Sequence, residues 1–167
     1  MGTTKSLYDQ EAVEKIKEMA KEKICLFCTN HNNEIESRPM STAGIDDDGT
    51  LWFFSQKDSE KNLQLQTENK VYLMYIDQDK HHYLSLTGTA EVVDDRKKVD
   101  ELWNGFLNTW FEDGKDDPQV SLIKVTPEDG HYWDTKNGKL VTLIKIAMAA
   151  MTGNRDRDGS LEGDIHL

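Results

Sequence analysis

Residues 37–61 read SRPMSTAGIDDDGTLWFFSQKDSEK, a stretch that contains two candidate strands, a turn and the start of a helix. The run DDDG predicts a hairpin that leads into an aromatic strand at residues 51–55. Arg38 carries a planar fork of donors near one end of the stretch, and Ser59 and Lys61 open a predicted helix at the other end. The stretch therefore predicts a hairpin and a helix that carry polar groups suited to an anion.

Two interpretations of these polar groups fit the sequence. In the first, Arg38, Lys61 and the free N–H groups of the helix start bind a phosphate. In the second, Arg38 forms a surface ion pair and Ser59 is an ordinary helix cap. The residue types alone favour neither interpretation.

Composition favours a single cytoplasmic domain and argues against a nucleic-acid or membrane partner. A chain of 167 residues is long enough to bury a core without disulfides. The net charge of −11 and the pI near 4.8 disfavour binding to nucleic acid or to an anionic membrane. Two cysteines, no apolar run of membrane-spanning length and no signal peptide fit a reducing compartment.

Hydrophobic periodicity predicts a mainly β domain with packed helices, an α+β fold. The predicted helices cover the N-terminal region to about residue 21, residues 59–67, a long segment from residue 94 or 95 to 110, and residues 140–151. The predicted strands cover residues 24–29, 35–45, 51–55, 71–76, 83–93, 120–125 and 131–134. We expect a six- to seven-stranded antiparallel barrel spanning residues 1–153, followed by a polar, mobile tail at 154–167.

No metal site is predicted. Cys25 and Cys28 are three residues apart on a strand, so their thiols point to opposite faces and do not converge on one ion. The segment 154–161 opens like a calcium-binding loop, but Ile165 stands where such a loop carries its bidentate Glu.

Several short motifs follow one another in a specific order and spacing: residues 37–40, residues 51–55 with 59–61, residues 84–90, and Tyr132 with Trp133. In this arrangement the chain resembles the FMN-binding split barrels of the pyridoxamine 5′-phosphate oxidase superfamily, and within it the general stress protein 26 group. The resemblance implies a split β-barrel that binds FMN, with FAD as the alternative cofactor. It also implies a homodimer with flavin at the subunit interface.

The resemblance further implies a set of flavin-contacting residues: Arg38, Met40, Ser41, Phe54, Ser55, Ser59, Lys61 and Trp133. Arg38 and Lys61 are implied to bind the phosphate, with Ser59 at the same helix start. The strand residues are implied to line the flavin ring. Trp133 is implied to come from the other subunit.

The chain departs from the oxidase itself at several positions. Glu60 stands where the oxidase has a phosphate-binding Arg, Ala43 where it has Lys, and Tyr83 where it has Gln. The C-terminal Arg and His of the oxidase have no counterpart directly after Trp133. Vitamin B6 oxidation is therefore not expected.

The functional expectation is an FMN-dependent oxidoreductase whose substrate the sequence does not identify, with NAD(P)H or a small molecule as electron donor. The flavin would carry the electron chemistry, and the protein would bind and orient it. The alternative is a non-catalytic stress protein that binds or sequesters a flavin or another planar cofactor.

Overall fold

The structure, a computed structural model, describes residues 3–4, 7–135 and 160–167. The helices are α1 (Asp9–Ala20), α2 (Glu60–Thr67) and α3 (Arg96–Leu102), with 3₁₀ helices at Gly105–Thr109 and Gly114–Asp116. The strands are β1 (Thr3–Thr4), β2 (Leu7–Tyr8), β3 (Ile24–His31), β4 (Glu34–Ser41), β5 (Gly44–Ile45), β6 (Leu51–Gln56), β7 (Lys70–Asp77), β8 (His82–Val93), β9 (Val120–Thr135) and β10 (Ser160–His166). Among the described residues, no helix is long and apolar enough to cross a membrane.

The sheet is organised around the long strand β9. Strand order is β1-β10-β9-β8-β7-β3-β4, and the pairs between the long strands are antiparallel. β8 lies along one edge of β9, while β6 and β10 share the other edge at its two ends. The α+β fold and the antiparallel split-barrel sheet predicted from the sequence are confirmed, and the sheet stays open, with β4 at one edge.

The core lies on one face of this sheet. Phe27 and Phe53 are fully buried and meet edge to face, with ring centroids 5.3 Å apart. α1 covers the core with Ile16, which is also fully buried. Burying one such side chain contributes about 1.5–3 kcal/mol, so these contacts hold β3, β6 and α1 in fixed positions.

The prediction of one long helix continuing past residue 103 is wrong. α3 ends at Leu102, and Asn104 starts a new 3₁₀ turn by accepting a hydrogen bond from the Phe106 N–H at 3.0 Å. Trp103 turns inward and packs edge to face on Phe54, with centroids 5.6 Å apart. The apolar residues that predicted one long helix therefore belong to two elements, and both elements contribute side chains to the same small core.

Residues 120–125 and 131–134 are also not separate strands, because β9 runs without interruption from Val120 to Thr135. Pro127 and Gly130 were expected to break the strand. Instead, the register against β8 shifts between Thr87 and Gly88, so that Gly88 faces Pro127. The bulge leaves Glu128, directly after Pro127, without a partner on β8, and the strand continues beyond it.

The polar tail predicted for residues 154–167 needs a similar correction. Ser160–His166 forms β10 and pairs antiparallel with β9. Ile165 is fully buried in the main core, which stabilises this pairing. The predicted C-terminal helix at 140–151 lies outside the described residues.

Candidate functional site

Arg38 lies on the core-facing side of edge strand β4. Side chains alternate along this strand, so Glu36, Arg38 and Met40 share one face while Ser41 lies on the other. Arg38 pairs directly with the fully buried Phe27 of β3. Its own side chain is 23% exposed, so the guanidinium is held at the border between core and solvent.

Hydrogen bonds fix the orientation of this guanidinium. Nη1 donates to Thr29 Oγ1 at 2.7 Å, and Nη2 donates to Gln64 Oε1 at 3.4 Å and to Glu36 Oε2 at 3.3 Å. Thr29 and Gln64 are themselves buried. Since Gln64 belongs to α2, these bonds hold the helix against β3 and β4 with Arg38 between them.

Lys61 lies one helical turn before Gln64 and therefore on the same side of α2. Burial, together with the neighbouring charge of Arg38, lowers the pKa of Lys61 below its ordinary value of 10.5. Within the described residues, no carboxylate lies within ion-pair distance of its Nζ. Arg38 and Lys61 thus form a local positive site in a strongly acidic chain.

Ser59 adds a buried hydroxyl to this site. It is the N-cap of α2, yet its side chain makes no cap hydrogen bond, and in the described structure its Oγ is buried without a partner. Leaving such a group unpaired costs about 1–3 kcal/mol. An orphaned hydroxyl at the start of the helix that carries Lys61 is a donor of the kind that an anion requires.

Glu60, which replaces a cation of the oxidase, does not neutralise this site. Its side chain is exposed, and within the described part of the chain it forms no ion pair. Ala43 supplies no charge, and its N–H donates to the Trp52 carbonyl at 2.8 Å. The anion would therefore be held by Arg38, Lys61 and Ser59 alone.

Ser55 has a different environment from the one that a flavin contact requires. Its hydroxyl is buried, donates to Asn62 Oδ1 at 2.9 Å and lies 2.9 Å from Ser121 Oγ. Asn62 Nδ2 in turn donates to the Gln56 carbonyl at 2.9 Å. This network anchors the first turn of α2 to β6 and β9, so Ser55 supports the site from within the protein.

Trp133 is not brought together with Arg38 in one chain. It lies on the outer face of β9, because its neighbour Tyr132 is fully buried on the core face. β8, β7 and β3 separate β9 from β4, which is roughly 19 Å along the sheet at ~4.8 Å per strand. Trp133 and Arg38 therefore differ both in face and in position.

The outer face of the sheet is apolar to an unusual degree. Exposed apolar and aromatic side chains occupy neighbouring strands there: Ile24, Leu26, Met74, Ile76, Tyr83 and Trp133. Leu26 pairs with Met74, and Tyr83 pairs with Trp133, so these side chains form a continuous surface. Such patches mark interaction sites.

Sequence reasoning missed Thr29, Glu36 and Gln64. The position of Glu36 could have been predicted from the sequence. Residues two apart on a strand share a face, so the carboxylate of Glu36 lies beside Arg38. Gln64 follows Lys61 at helical spacing. Thr29 depends on the register between β3 and β4, which only the structure gives.

The chain as a whole is similar to known proteins. Residues 11–157 match the family model described as "Pyridoxamine 5'-phosphate oxidase like". Protein bli-3 of Neurospora crassa is 27% identical over 126 residues, which cover 70% of this chain. The match spans only 60% of that relative's length.

Solved structures share the fold over most of the chain. A structure described as general stress protein 26 from Jannaschia sp. CCS1 has a TM-score of 0.77 and 26% identity, covering 90% of this chain and 94% of that one. A general stress FMN/FAD binding protein from Xanthomonas citri has a TM-score of 0.67 and 26% identity, covering 77% of this chain and 92% of that one.

Proposed function

Because the chain belongs to the pyridoxamine 5′-phosphate oxidase-like family, we propose that it binds FMN and acts as a flavin-dependent oxidoreductase of the general stress protein 26 type. The observation that carries the proposal is the group of Arg38, Lys61 and Ser59: two neighbouring cations, and at the start of the helix that carries Lys61 a buried hydroxyl without a partner in the described structure. The relative described as FMN/FAD binding supports a flavin as the ligand.

The residues of this group fit a flavin phosphate. Arg38 would donate hydrogen bonds from its guanidinium, and Ser59 Oγ would donate a hydrogen bond to a phosphate oxygen. Lys61 would supply the second positive charge. A dianion between the two cations removes their mutual repulsion and so raises the pKa of Lys61 relative to the ligand-free protein. When bound, FMN supplies hydride and electron transfer, while Met40 and the rest of β4 line its ring.

A second copy of the chain would complete the site. The outer face of the sheet, with Leu26 and Met74 at its centre, offers a self-complementary apolar surface for a two-fold dimer. Within one chain Trp133 and Arg38 lie on different faces of the sheet, so we propose that a Trp133 from the second copy supplies the flavin contact. We therefore propose a homodimer with flavin at the interface.

Leu26→Glu is expected to convert the dimer to a monomer and to weaken FMN binding. The new charge would be buried against apolar side chains of the second copy, which is costly. Sedimentation velocity measures the oligomeric state, and flavin fluorescence measures binding. Phe106→Glu is the matched control, since Phe106 is 73% exposed and lies outside the sheet. A wild-type monomer, or a dimer that persists in Leu26→Glu, would contradict the proposed interface.

Ser59→Ala is expected to weaken FMN binding about two- to tenfold, the range for one hydrogen bond, while the ligand-free protein keeps or gains stability. Removing an N-cap usually costs about 0.5–2 kcal/mol, but here the hydroxyl makes no bond that could be lost. Urea unfolding and FMN titration separate the two effects. Asp95→Ala is the control, because Asp95 caps α3 by accepting from the Lys98 N–H at 3.0 Å and should lose stability without losing FMN. A Ser59→Ala protein destabilised like Asp95→Ala would show that Ser59 is an ordinary cap.

The proposed function is tested by adding FMN to the purified protein and recording its visible spectrum and fluorescence. We expect quenching of flavin fluorescence with FMN, and weaker quenching with riboflavin, which lacks the phosphate. Absence of any flavin binding would overturn the proposal. Reduction of the bound flavin by NAD(P)H and reoxidation by an added acceptor would separate an oxidoreductase from a flavin-storage protein.

A further inference from the structure

Glu36 occupies the anion site in the ligand-free protein. Its Oε2 accepts from Arg38 Nη2 at 3.3 Å and from Gln64 Nε2 at 2.8 Å. Both Glu36 and Arg38 lie on the same face of β4, and their side chains are 38% and 23% exposed. The carboxylate therefore holds Nη2 of a partly exposed guanidinium, a position that an incoming anion could take.

The hydrogen bonds form a closed ring. Arg38 donates to Thr29, Thr29 Oγ1 donates to Gln64 Oε1 at 2.7 Å, Gln64 donates to Glu36, and Glu36 accepts from Arg38. Within this ring, Thr29 and Gln64 are buried and Glu36 is not. Glu36 is thus the member that can move into solvent, and an incoming anion would replace it as the acceptor for the buried Gln64 Nε2.

We propose that Glu36 is a built-in competitor that phosphate displaces from Arg38, so that it sets the affinity and selectivity of the site for phosphate-bearing ligands. This proposal deepens the FMN-binding function and rests on it for the identity of the ligand. Arg38 and Lys61 carry two positive charges and Glu36 one negative charge. A doubly charged phosphate gains from both cations when it replaces the carboxylate, whereas a singly charged anion gains little over Glu36 itself.

The same ring leaves Arg38 anchored after the exchange. Thr29 continues to hold Nη1, and Gln64 Oε1 stays within 3.4 Å of Nη2, so the guanidinium keeps its orientation when the carboxylate moves away. Glu36 therefore differs in role from Thr29 and Gln64, which act as positioning residues. Removing the charge of Glu36 should help the ligand, whereas removing Thr29 or Gln64 should hinder it.

The test compares Glu36→Gln with Glu34→Gln by titrating each protein with FMN and with riboflavin. Glutamine keeps an oxygen that accepts from Gln64, so the ring stays intact while the charge is lost. Glu34 is an exposed carboxylate on the same strand, and its substitution changes the net charge equally. We expect Glu36→Gln to bind FMN about three- to fivefold more tightly than wild type, the range for a partly exposed ion pair, and riboflavin equally well. Glu34→Gln should match wild type for both ligands.

Inorganic phosphate, followed by its effect on thermal unfolding, tests the site without a flavin. If wild type binds no FMN but phosphate stabilises Glu36→Gln more than wild type, the flavin function fails and the role of Glu36 stands. If Glu36→Gln binds FMN and phosphate no more tightly than Glu34→Gln, or more weakly than wild type, Glu36 is no competitor and the proposal is overturned. Absence of binding by either ligand overturns both proposals.

Discussion

Lys61→Ala is expected to weaken FMN binding roughly tenfold to a hundredfold without lowering the free energy of unfolding. A charge-assisted bond to a phosphate is worth about 1.5–3 kcal/mol, which sets the loss of affinity. In the ligand-free protein, Lys61 is half-buried beside Arg38 and has no carboxylate partner among the described residues, so its removal relieves repulsion. FMN titration and urea unfolding of the same variant measure the two effects.

Lys57→Ala is the matched control. Lys57 precedes α2 and forms an exposed ion pair with Asp94, with Nζ 2.8 Å from the carboxylate oxygen. Its loss should change FMN affinity by less than about twofold, because exposed charges are screened by solvent and salt. Equal losses of affinity in Lys57→Ala and Lys61→Ala would mean that the effect comes from net charge and not from a phosphate contact.

The lowered pKa of Lys61 makes both the stability of the free protein and the binding of FMN depend on pH. Its pKa in the folded protein lies below the ordinary 10.5, so the charged lysine destabilises the free protein at neutral pH. That cost is relieved as pH rises through the folded pKa toward 10.5. Because phosphate favours the charged form, FMN binding should take up protons in this alkaline window, and Lys61→Ala should lose the uptake.

Local patterns explain why the placement of Arg38, Ser59 and Lys61 was predictable. Strand alternation and the helix start at Ser59 depend only on nearby residues, and the structure does bring Arg38, Ser59 and Lys61 to β4 and the start of α2. The ring of hydrogen bonds around Arg38 needs Thr29 from another strand. Its register is set by β3–β4 pairing, so no local pattern of residues reveals it.

The incorrect predictions have a common physical cause. Pro127 was expected to break the strand because it lacks an N–H. It lies between the segments of β9 that pair with β6 and with β10, and β8 pairs with β9 on both sides of it, so the strand continues. Ile165 lies in a polar segment that looks like a tail, yet the core accepts its side chain and stabilises β10. In both cases, tertiary contacts outweigh local propensity.

The roles that the resemblance implies for Ser55 and Trp133 remain predictions, because they depend on groups outside the motif. Ser55 occupies the expected strand, but Asn62 and Ser121 already satisfy its hydroxyl. Trp133 occupies the expected position in the sequence, but it faces away from the core that holds Arg38. A residue can thus match a motif while its contacts depend on groups outside that motif. These groups are other side chains of the chain for Ser55 and a second copy of the chain for Trp133.

Gly88→Ala is expected to destabilise the protein by about 2–3 kcal/mol, at the upper end of the usual cost of overpacking. A Cβ at this position would lie 2.4 Å from the Thr126 carbonyl oxygen and 3.0 Å from Pro127 Cα. Both are backbone atoms, which cannot move aside as a flexible side chain would. The strain falls on the bulge that lets β8 follow β9 past Pro127, so urea unfolding should show a lower midpoint.

Gly105→Ala is the matched control, since a Cβ there would meet nothing within 4 Å. Its stability should be unchanged or higher by about 0.4–1 kcal/mol, because alanine restricts the unfolded chain more than glycine does. If the two variants were equally stable, the close approach of β8 to Pro127 would not be required for the fold. If Gly88→Ala alone is destabilised, the close approach of β8 to the backbone of Thr126 and Pro127 requires a residue without a side chain at position 88.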